Sequence, residues 1–492
     1  MERQSINVAL AEVHGHTARV ETIAADGRGW EVTAWLDDRV VVTRHCGDWH
    51  RVERARMEAA MALRDLGRRF LEVSALLAFL IGCLPNAGLA QQRPTHDSAP
   101  AAAAETVSAP VAVFPEPRVI ARGIDAASRM LGDGSEVKNG FYPELSNMPT
   151  GAGWISVGPG YRQWWFGDQM FLDASTAISW RSYKMAQARF ELPHLAQSRL
   201  AVGTQVRWQD LTQVTFFGEG ADSLESNRSE YRLKSTNVAA YATVRARQWL
   251  SIGGRVGWLD RPSLTTPAGT FKRGNPATQE LFPDEAVFTV SQQPSYGYRE
   301  ASLTIDTRDH RSHPTAGGMY RVAWSGYSDQ DAGAFSFRRS EAEAAQFVPL
   351  ARSRLVLAMH GWLVASQTAD DESVPLYLEP SLGGHNTLRG YSDFRFHDRN
   401  LLVVNLEARL ALFRHVDAVV FADAGNVAPR VSDLNVDKRS YGVGWRMHSR
   451  ESTFARLDVA RGDEGWKFLF RLSDPLHFSR LSRRTAPLPF AP

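Results

Sequence analysis

Arg389 lies in a glycine-rich run, Gly383-Gly384-His385-Asn386-Thr387-Leu388-Arg389-Gly390-Tyr391, and two acids follow it at Glu407 and Asp423. A guanidinium presents five donors in a planar fork that matches a carboxylate, so the chemistry open to this trio is a confined ion pair. Glu407 falls within the alternating segment 401–413 and Asp423 within 420–426, each on the polar phase, which makes them the candidate partners of Arg389. Gly383, Gly384 and Gly390 would permit the φ > 0 geometry of a tight hairpin. The same residues also allow an external loop with an exposed arginine and two unrelated acids.

Two further constellations carry local chemistry. Asp306-Thr307-Arg308-Asp309 runs on to Pro314 and Gly317-Gly318; Asp306 or Asp309 could accept bonds from turn amides while Pro314 and the glycines set the reversal. His310 and His313 share this turn and are read as polar turn residues, so no metal site is assigned. Thr215-Phe216-Phe217-Gly218-Glu219-Gly220, followed by Asp222-Ser223, reads as a structural turn.

Motifs of catalysis do not occur in the chain: it has no Gly-x-Ser-x-Gly elbow, no His-Glu-x-x-His, no phosphate loop and no clustered cysteine ligands. Gly253-Gly254-Arg255-Val256-Gly257 reads as glycine in a strand hairpin. The expectation is a protein that is not an enzyme and takes no cofactor. With 56 Lys+Arg against 54 Asp+Glu, a formal net charge of +2, there is no electrostatic case for nucleic acid.

The elements that must hold these residues are strands. From about residue 137 to 472 apolar and polar residues alternate, with turn signals between the runs. Leu402, Val404, Leu406, Ala408, Leu410 and Leu412 share one face, and Asn405, Glu407 and Arg409 the other. Tyr441, Val443, Trp445 and Met447 alternate against Gly442, Gly444 and Arg446, and Leu200, Val202, Val206 and Trp208 against Gln205, Arg207 and Gln209. Sixteen strands are predicted, over 137–146, 151–162, 170–181, 184–192, 199–217, 230–246, 248–260, 294–309, 318–328, 335–349, 353–366, 400–413, 415–426, 439–448, 452–461 and 465–473.

A soluble sandwich would alternate too. The even strand number, arginines on polar faces and Trp and Tyr near strand ends favour a water-filled barrel in a membrane. Short links at 166–169, 193–198, 246–248, 350–353, 414 and 449–451 alternate with long ones at 219–229, 260–294, 367–400 and 428–439, as periplasmic turns and external loops would. The predicted fold is all-β, a 16-stranded antiparallel transmembrane β-barrel over 136–478 in the bacterial outer membrane, in contact with its lipid.

The run Leu388-Arg389-Gly390-Tyr391, with acids on the two strands that follow, resembles the C-terminal core of the BamA/TamA-type surface-antigen barrels, a group that includes the transporters of two-partner secretion. The Asp306-to-Gly317 turn and the Phe216-Phe217-Gly218-x-Gly220 segment are similar to signatures of the same family. The resemblance implies that the loop folds into the barrel lumen and that Arg389, Glu407 and Asp423 form the lock that pins it there. It also implies work on client polypeptides, inserting or secreting them, through first and last strands that pair weakly and open toward lipid. The last strand, from Trp466, resembles the C-terminal signal of outer-membrane barrels but is followed by further residues; Phe478 could close that signal, leaving 479–492 as a tail.

Upstream, Val73 to Leu84 is the longest apolar run, preceded by Arg64, Arg68 and Arg69 and followed by Gly88-Leu89-Ala90. It reads as a signal peptide spanning 57–90, with translation starting at Met57 or Met61 and 1–56 an over-extended N-terminus. The alternative is a true cytoplasmic extension before a signal anchor. Leu80-Ile81-Gly82-Cys83 resembles a lipoprotein cleavage box and offers a second processing route. Cys46 and Cys83 both precede the expected cleavage point, which suits export. Residues 91–135 are Ala- and Pro-rich and read as a linker, with a short helix at 119–131 at most. That leaves no room for the periplasmic POTRA modules usual in the resembled family, so two other readings stay open: a passive or structural channel, and a barrel with a separately encoded periplasmic partner.

Overall fold

The computed structural model describes residues 5–13, 16–24, 30–36, 39–46, 112–118, 120–122, 139–145, 156–269, 274–283, 293–310, 313–351, 354–448 and 453–471. The signal segment, Cys83, most of the linker, Phe478 and the tail lie outside them.

Two compact units are present, 1–101 and 102–492. The first contains an antiparallel meander of β1 (Ser5–Val13), β2 (His16–Ala24), β3 (Trp30–Leu36) and β4 (Arg39–Cys46), an element for which the sequence reading had no expectation.

The second unit is the barrel. Its strands are β5 (Gly140–Leu145), β6 (Ser156–Trp165), β7 (Met170–Ser179), β8 (Lys184–His194), β9 (Leu200–Phe216), β10 (Ser229–Arg247), β11 (Leu250–Thr265) and β12 (Tyr296–Asp306). They continue with β13 (Gly317–Asp329), β14 (Phe337–Leu350), β15 (Leu355–Gln367), β18 (Asn400–Phe413), β19 (Val416–Ala428), β20 (Lys438–His448), β21 (Thr453–Gly462) and β22 (Gly465–Arg471). All sixteen predicted strands form, in one antiparallel meander. The loop between β15 and β18 adds a two-stranded ribbon, β16 (Ser381–Leu382) with β17 (Phe396–His397), which alternation could not reveal because each arm has two residues.

Alternation sets the two faces. In β18, Val403, Asn405, Glu407 and Arg409 are buried while Leu406 and Leu410 are exposed; in β20, Arg446 is buried while Tyr441, Val443 and Trp445 are exposed. Apolar side chains facing outward along the whole ladder are stable only against hydrocarbon, where a cation at mid-depth would cost about 2–4 kcal/mol. Trp208 in β9, Trp258 in β11 and Trp324 in β13 point outward, each seven or eight residues from the short-turn end of its strand. Trp165 and Trp249 point outward beside short turns. The two levels bracket the apolar band as aromatic girdles do. No helix among the described residues is long and apolar enough to cross a membrane, which says nothing about strands.

The ladder runs from β5 to β22 without a closing pair between these two strands among the described residues. They are also its shortest members, at 6 and 7 residues against 10 to 19 for the others. Pro143 of β5 stands opposite Pro159 of β6. Two opposed prolines cannot exchange ladder bonds, so theirs is a non-hydrogen-bonded pair, and the donor Pro143 lacks belongs to the free edge.

The stretch read as a linker is anchored at its middle. Val113 N donates to Ala411 O at 3.0 Å and Phe114 N to Leu412 O at 2.9 Å, so the segment adds to the short-turn end of β18. Glu116 reaches His415 at 2.9 Å, and a helical turn begins at Arg118.

Candidate functional site

Arg389 is held entirely inside the barrel, with 1% of its surface exposed. Its Nε donates to Asp423 Oδ2 at 2.8 Å and its Nη2 to Asp423 Oδ1 at 2.6 Å, a bidentate fork, while Nη1 donates to Glu407 Oε1. The Arg389 backbone N–H adds a fourth bond, to Asp423 Oδ2 at 3.2 Å. The guanidinium lies 3.5 Å over the Phe421 ring. The structure therefore brings together the three residues singled out in the sequence, and the external-loop alternative does not hold for them.

The strand residues around the trio complete its polarity. Asn405 Nδ2 donates to Asp423 Oδ1 at 2.9 Å and to Thr387 O at 2.6 Å, which ties loop to strand a second time. Glu407 also accepts from Arg409 Nε at 2.9 Å and Arg446 Nη2 at 3.0 Å, and Arg446 Nη1 continues to Asp458 Oδ1 at 2.6 Å. Arg456 Nη2 donates to His385 O at 3.0 Å. Charges this far from water are tolerated only when paired and hydrogen-bonded; here β18 to β21 each supply part of the lattice.

Loop geometry explains the glycines, with one correction. Gly383 and Gly384 take φ of +118° and +88°, as expected, but Gly390 does not have positive φ. Its role is close approach: a Cβ there would stand 2.5 Å from Ser440 Cβ and 2.6 Å from Gly462 N. Leu388 and Tyr391 bracket the arginine in an apolar cluster with Leu382, Phe396, Leu401 and Val403.

Sequence reasoning missed the second anchor of this loop. Arg395 donates through Nη1 to Ser223 Oγ at 2.8 Å and through Nη2 to Ser223 O at 2.7 Å, and pairs with Glu464 through Nε. Gly220 N donates to His397 O at 2.7 Å. The 215–220 segment, read as a simple turn, is thus a docking strip for the loop, with Phe216 and Phe217 buried beneath it. On the other side Tyr391 OH donates to Asp463 Oδ2 at 2.8 Å and Lys467 Nζ to Ser392 Oγ at 3.3 Å. The loop consequently braces the β21–β22 hairpin, whose outer strand is one end of the ladder. The signal available in the sequence was a charged residue next to glycine or aromatic residues at each contact; the pairing itself is tertiary.

His397 supplies a pH test. It is buried, stacked near Phe394 and edge-on to Phe216, and neither ring nitrogen has a hydrogen-bond partner among the described residues. Burial pushes its pKa down from 6.5 to about 4. A released loop binds this proton below pH 6.5 and the docked loop does not, so docking is unaffected above 6.5, weakens as pH falls toward 4, and loses about 3 kcal/mol in total. The labelling rate of a cysteine placed in the loop, taken relative to a free thiol at the same pH, should rise over that window in the parent and stay flat in His397→Leu; equal pH profiles would refute the assignment.

The Asp306-to-Gly317 turn folds as its composition suggested. Asp309 accepts from Thr315 N at 3.0 Å and His310 N at 2.8 Å, Asp306 pairs with Arg308 at 2.8 Å, Pro314 is buried and Gly317 opens β13. His310 is exposed, whereas His313, read with it as a polar turn residue, is buried against Asp417 and His448.

The Omp85 superfamily domain model matches residues 165–460. No curated protein matches the chain. Among solved structures, BamA from Haemophilus ducreyi lacking POTRA domains 1-3 aligns at TM-score 0.50 and 15% identity, over 68% of this chain and 70% of that one. CdiB from Escherichia coli aligns at 0.47 and 13%, over 68% of this chain and 61% of its own. At these identities the likeness speaks to the fold.

Proposed function

Because the chain belongs to the Omp85 superfamily and is an outer-membrane β-barrel, we propose that it acts on other polypeptides, inserting them into the outer membrane or passing them across it, through the β5–β22 seam. The observation that carries this reading is the seam itself. Among the described residues the two terminal strands are short and their outer edges have no partner strand, and Pro143 removes a donor from one of them. An open edge is a template for an incoming strand, which pairs through main-chain bonds without regard to side-chain identity.

In this reading the work is noncovalent and needs no catalytic group. Arg389 positions the loop, and the loop's contacts with Asp463, Glu464 and Lys467 hold β22 in place while its outer edge stays available. The partners would be outer-membrane lipid and client polypeptides, with a separately encoded periplasmic protein as a further candidate. Processing of the precursor at the 57–90 signal, with 91–135 as connecting segment, belongs to the same proposal.

A passive channel is the second reading, favoured by the polar lumen face. Liposomes separate the two: the purified chain should accelerate folding of a model outer-membrane barrel added from urea, whereas conductance of ions without acceleration selects the channel.

A further inference from the structure

At the short-turn end of the barrel, far in sequence from the Arg389 loop, three buried side chains converge. His313 Nε2 lies 3.4 Å from Asp417 Oδ2, and His448 Nε2 lies 3.3 Å from Asp417 Oδ1. The two imidazoles are stacked, with centroids 3.7 Å apart and an interplanar angle of 12°. One donor atom from each of the three residues falls within 4.8 Å of the others.

We propose that His313, Asp417 and His448 bind a first-row divalent cation, zinc by donor chemistry, which clips the β12–β13 turn across the periplasmic mouth of the barrel. Two imidazoles and a carboxylate, with a fourth position left to water, form an ordinary zinc ligand set. Donors placed tetrahedrally around zinc at about 2.0–2.2 Å stand roughly 3.4 Å from one another; each histidine Nε2 stands at that spacing from a different oxygen of Asp417, so the carboxylate would bind through both oxygens or turn one of them to the ion. Before an ion binds, the His448 Nε2 to Asp417 Oδ1 contact is a hydrogen bond at 3.3 Å. The rings are stacked with centroids 3.7 Å apart, so ligation of one ion by both Nε2 atoms would turn one imidazole out of the stack.

The surroundings orient the ligands. His313 Nδ1 bonds Thr453 Oγ1 at 3.2 Å, which commits Nε2 to the Asp417 side, as outer partners of metal-bound histidines do. The His448 backbone N–H donates to His415 O at 3.0 Å, and His415 is held by Glu116 of the docked N-terminal segment. In the ladder β13 and β19 are separated by β14, β15 and β18. His313 therefore reaches over the mouth rather than to a neighbouring strand, and an ion there would join the β12–β13 turn to the paired ends of β19 and β20, which the sheet does not place beside it.

The test uses the full chain, purified without a histidine tag, shown folded by heat-modifiable electrophoretic mobility, stripped with chelator and titrated with zinc chloride. Wild type should take up one equivalent more than His313→Ala or Asp417→Asn, while His310→Ala at the exposed histidine should match wild type. Thr453→Val should weaken binding by about 10–100-fold without removing the site. Cobalt should give wild type, and not His313→Ala, the visible absorption of a low-coordinate nitrogen and oxygen site. Equal zinc uptake by wild type and His313→Ala, or no cobalt spectrum in folded wild type, would overturn the proposal.

Discussion

Arg389→Ala is expected to release the luminal loop while leaving a sixteen-stranded barrel in the membrane. The substitution strands Asp423 and Glu407, both buried, without the fork that satisfies them, and breaking one side of a buried pair costs about 3–5 kcal/mol. Glu407 keeps Arg409 and Arg446, so most of the loss falls on Asp423, which would retain Asn405 and Ser440. The barrel ladder does not pass through Arg389, and heat-modifiable mobility should persist. Loop protection from protease should be lost, and client folding should fall toward the lipid-only rate. Arg389→Lys keeps the charge but not the bidentate geometry and should be intermediate. A protected loop and unchanged activity in Arg389→Ala would show that the ion pair pins nothing.

How far the sequence reached follows from what each signal depends on. Strands and their faces were legible because the outward residues meet lipid and the inward ones meet water, so β18 and β20 alternate cleanly, and the phase of Glu407 and Asp423 could be read directly. The Arg389 pairing was legible through a short motif plus that phase. Contacts between distant segments left no such trace. Arg395 to Ser223 and Glu464 joins three loops, and His313 to Asp417 and His448 crosses the mouth, so neither follows from spacing along the chain. Gly390 was assigned to the right loop for the wrong reason, since a composition rule cannot distinguish a glycine needed for φ from one needed for contact with Ser440 and Gly462. The four-stranded sheet within 5–46 has no counterpart in the sequence reading, which takes 1–56 as an over-extended N-terminus.

Closing the seam covalently should abolish function more completely than any change in the lumen. If clients template on the free edges of β5 and β22, a disulfide between them removes the acceptor surface without disturbing Arg389, the loop or the lumen. The chain suits this experiment, since Cys46 and Cys83 are its two cysteines and neither lies in the barrel. Paired cysteines scanned over 140–145 and 465–471 would cross-link wherever the two strands come within the roughly 4.4–6.8 Å Cα separation that a disulfide requires. Phe141 and Phe468, which are both exposed to lipid, are natural starting points on the two strands.

The most direct measurement is the folding rate of a model barrel in liposomes carrying this cross-linked protein, taken before and after reduction of the bond. The proposed mechanism requires the oxidised form to give the lipid-only rate and the reduced form to recover the acceleration of the parent. Quantitatively cross-linked protein that still accelerates folding would show that the seam is not the working surface.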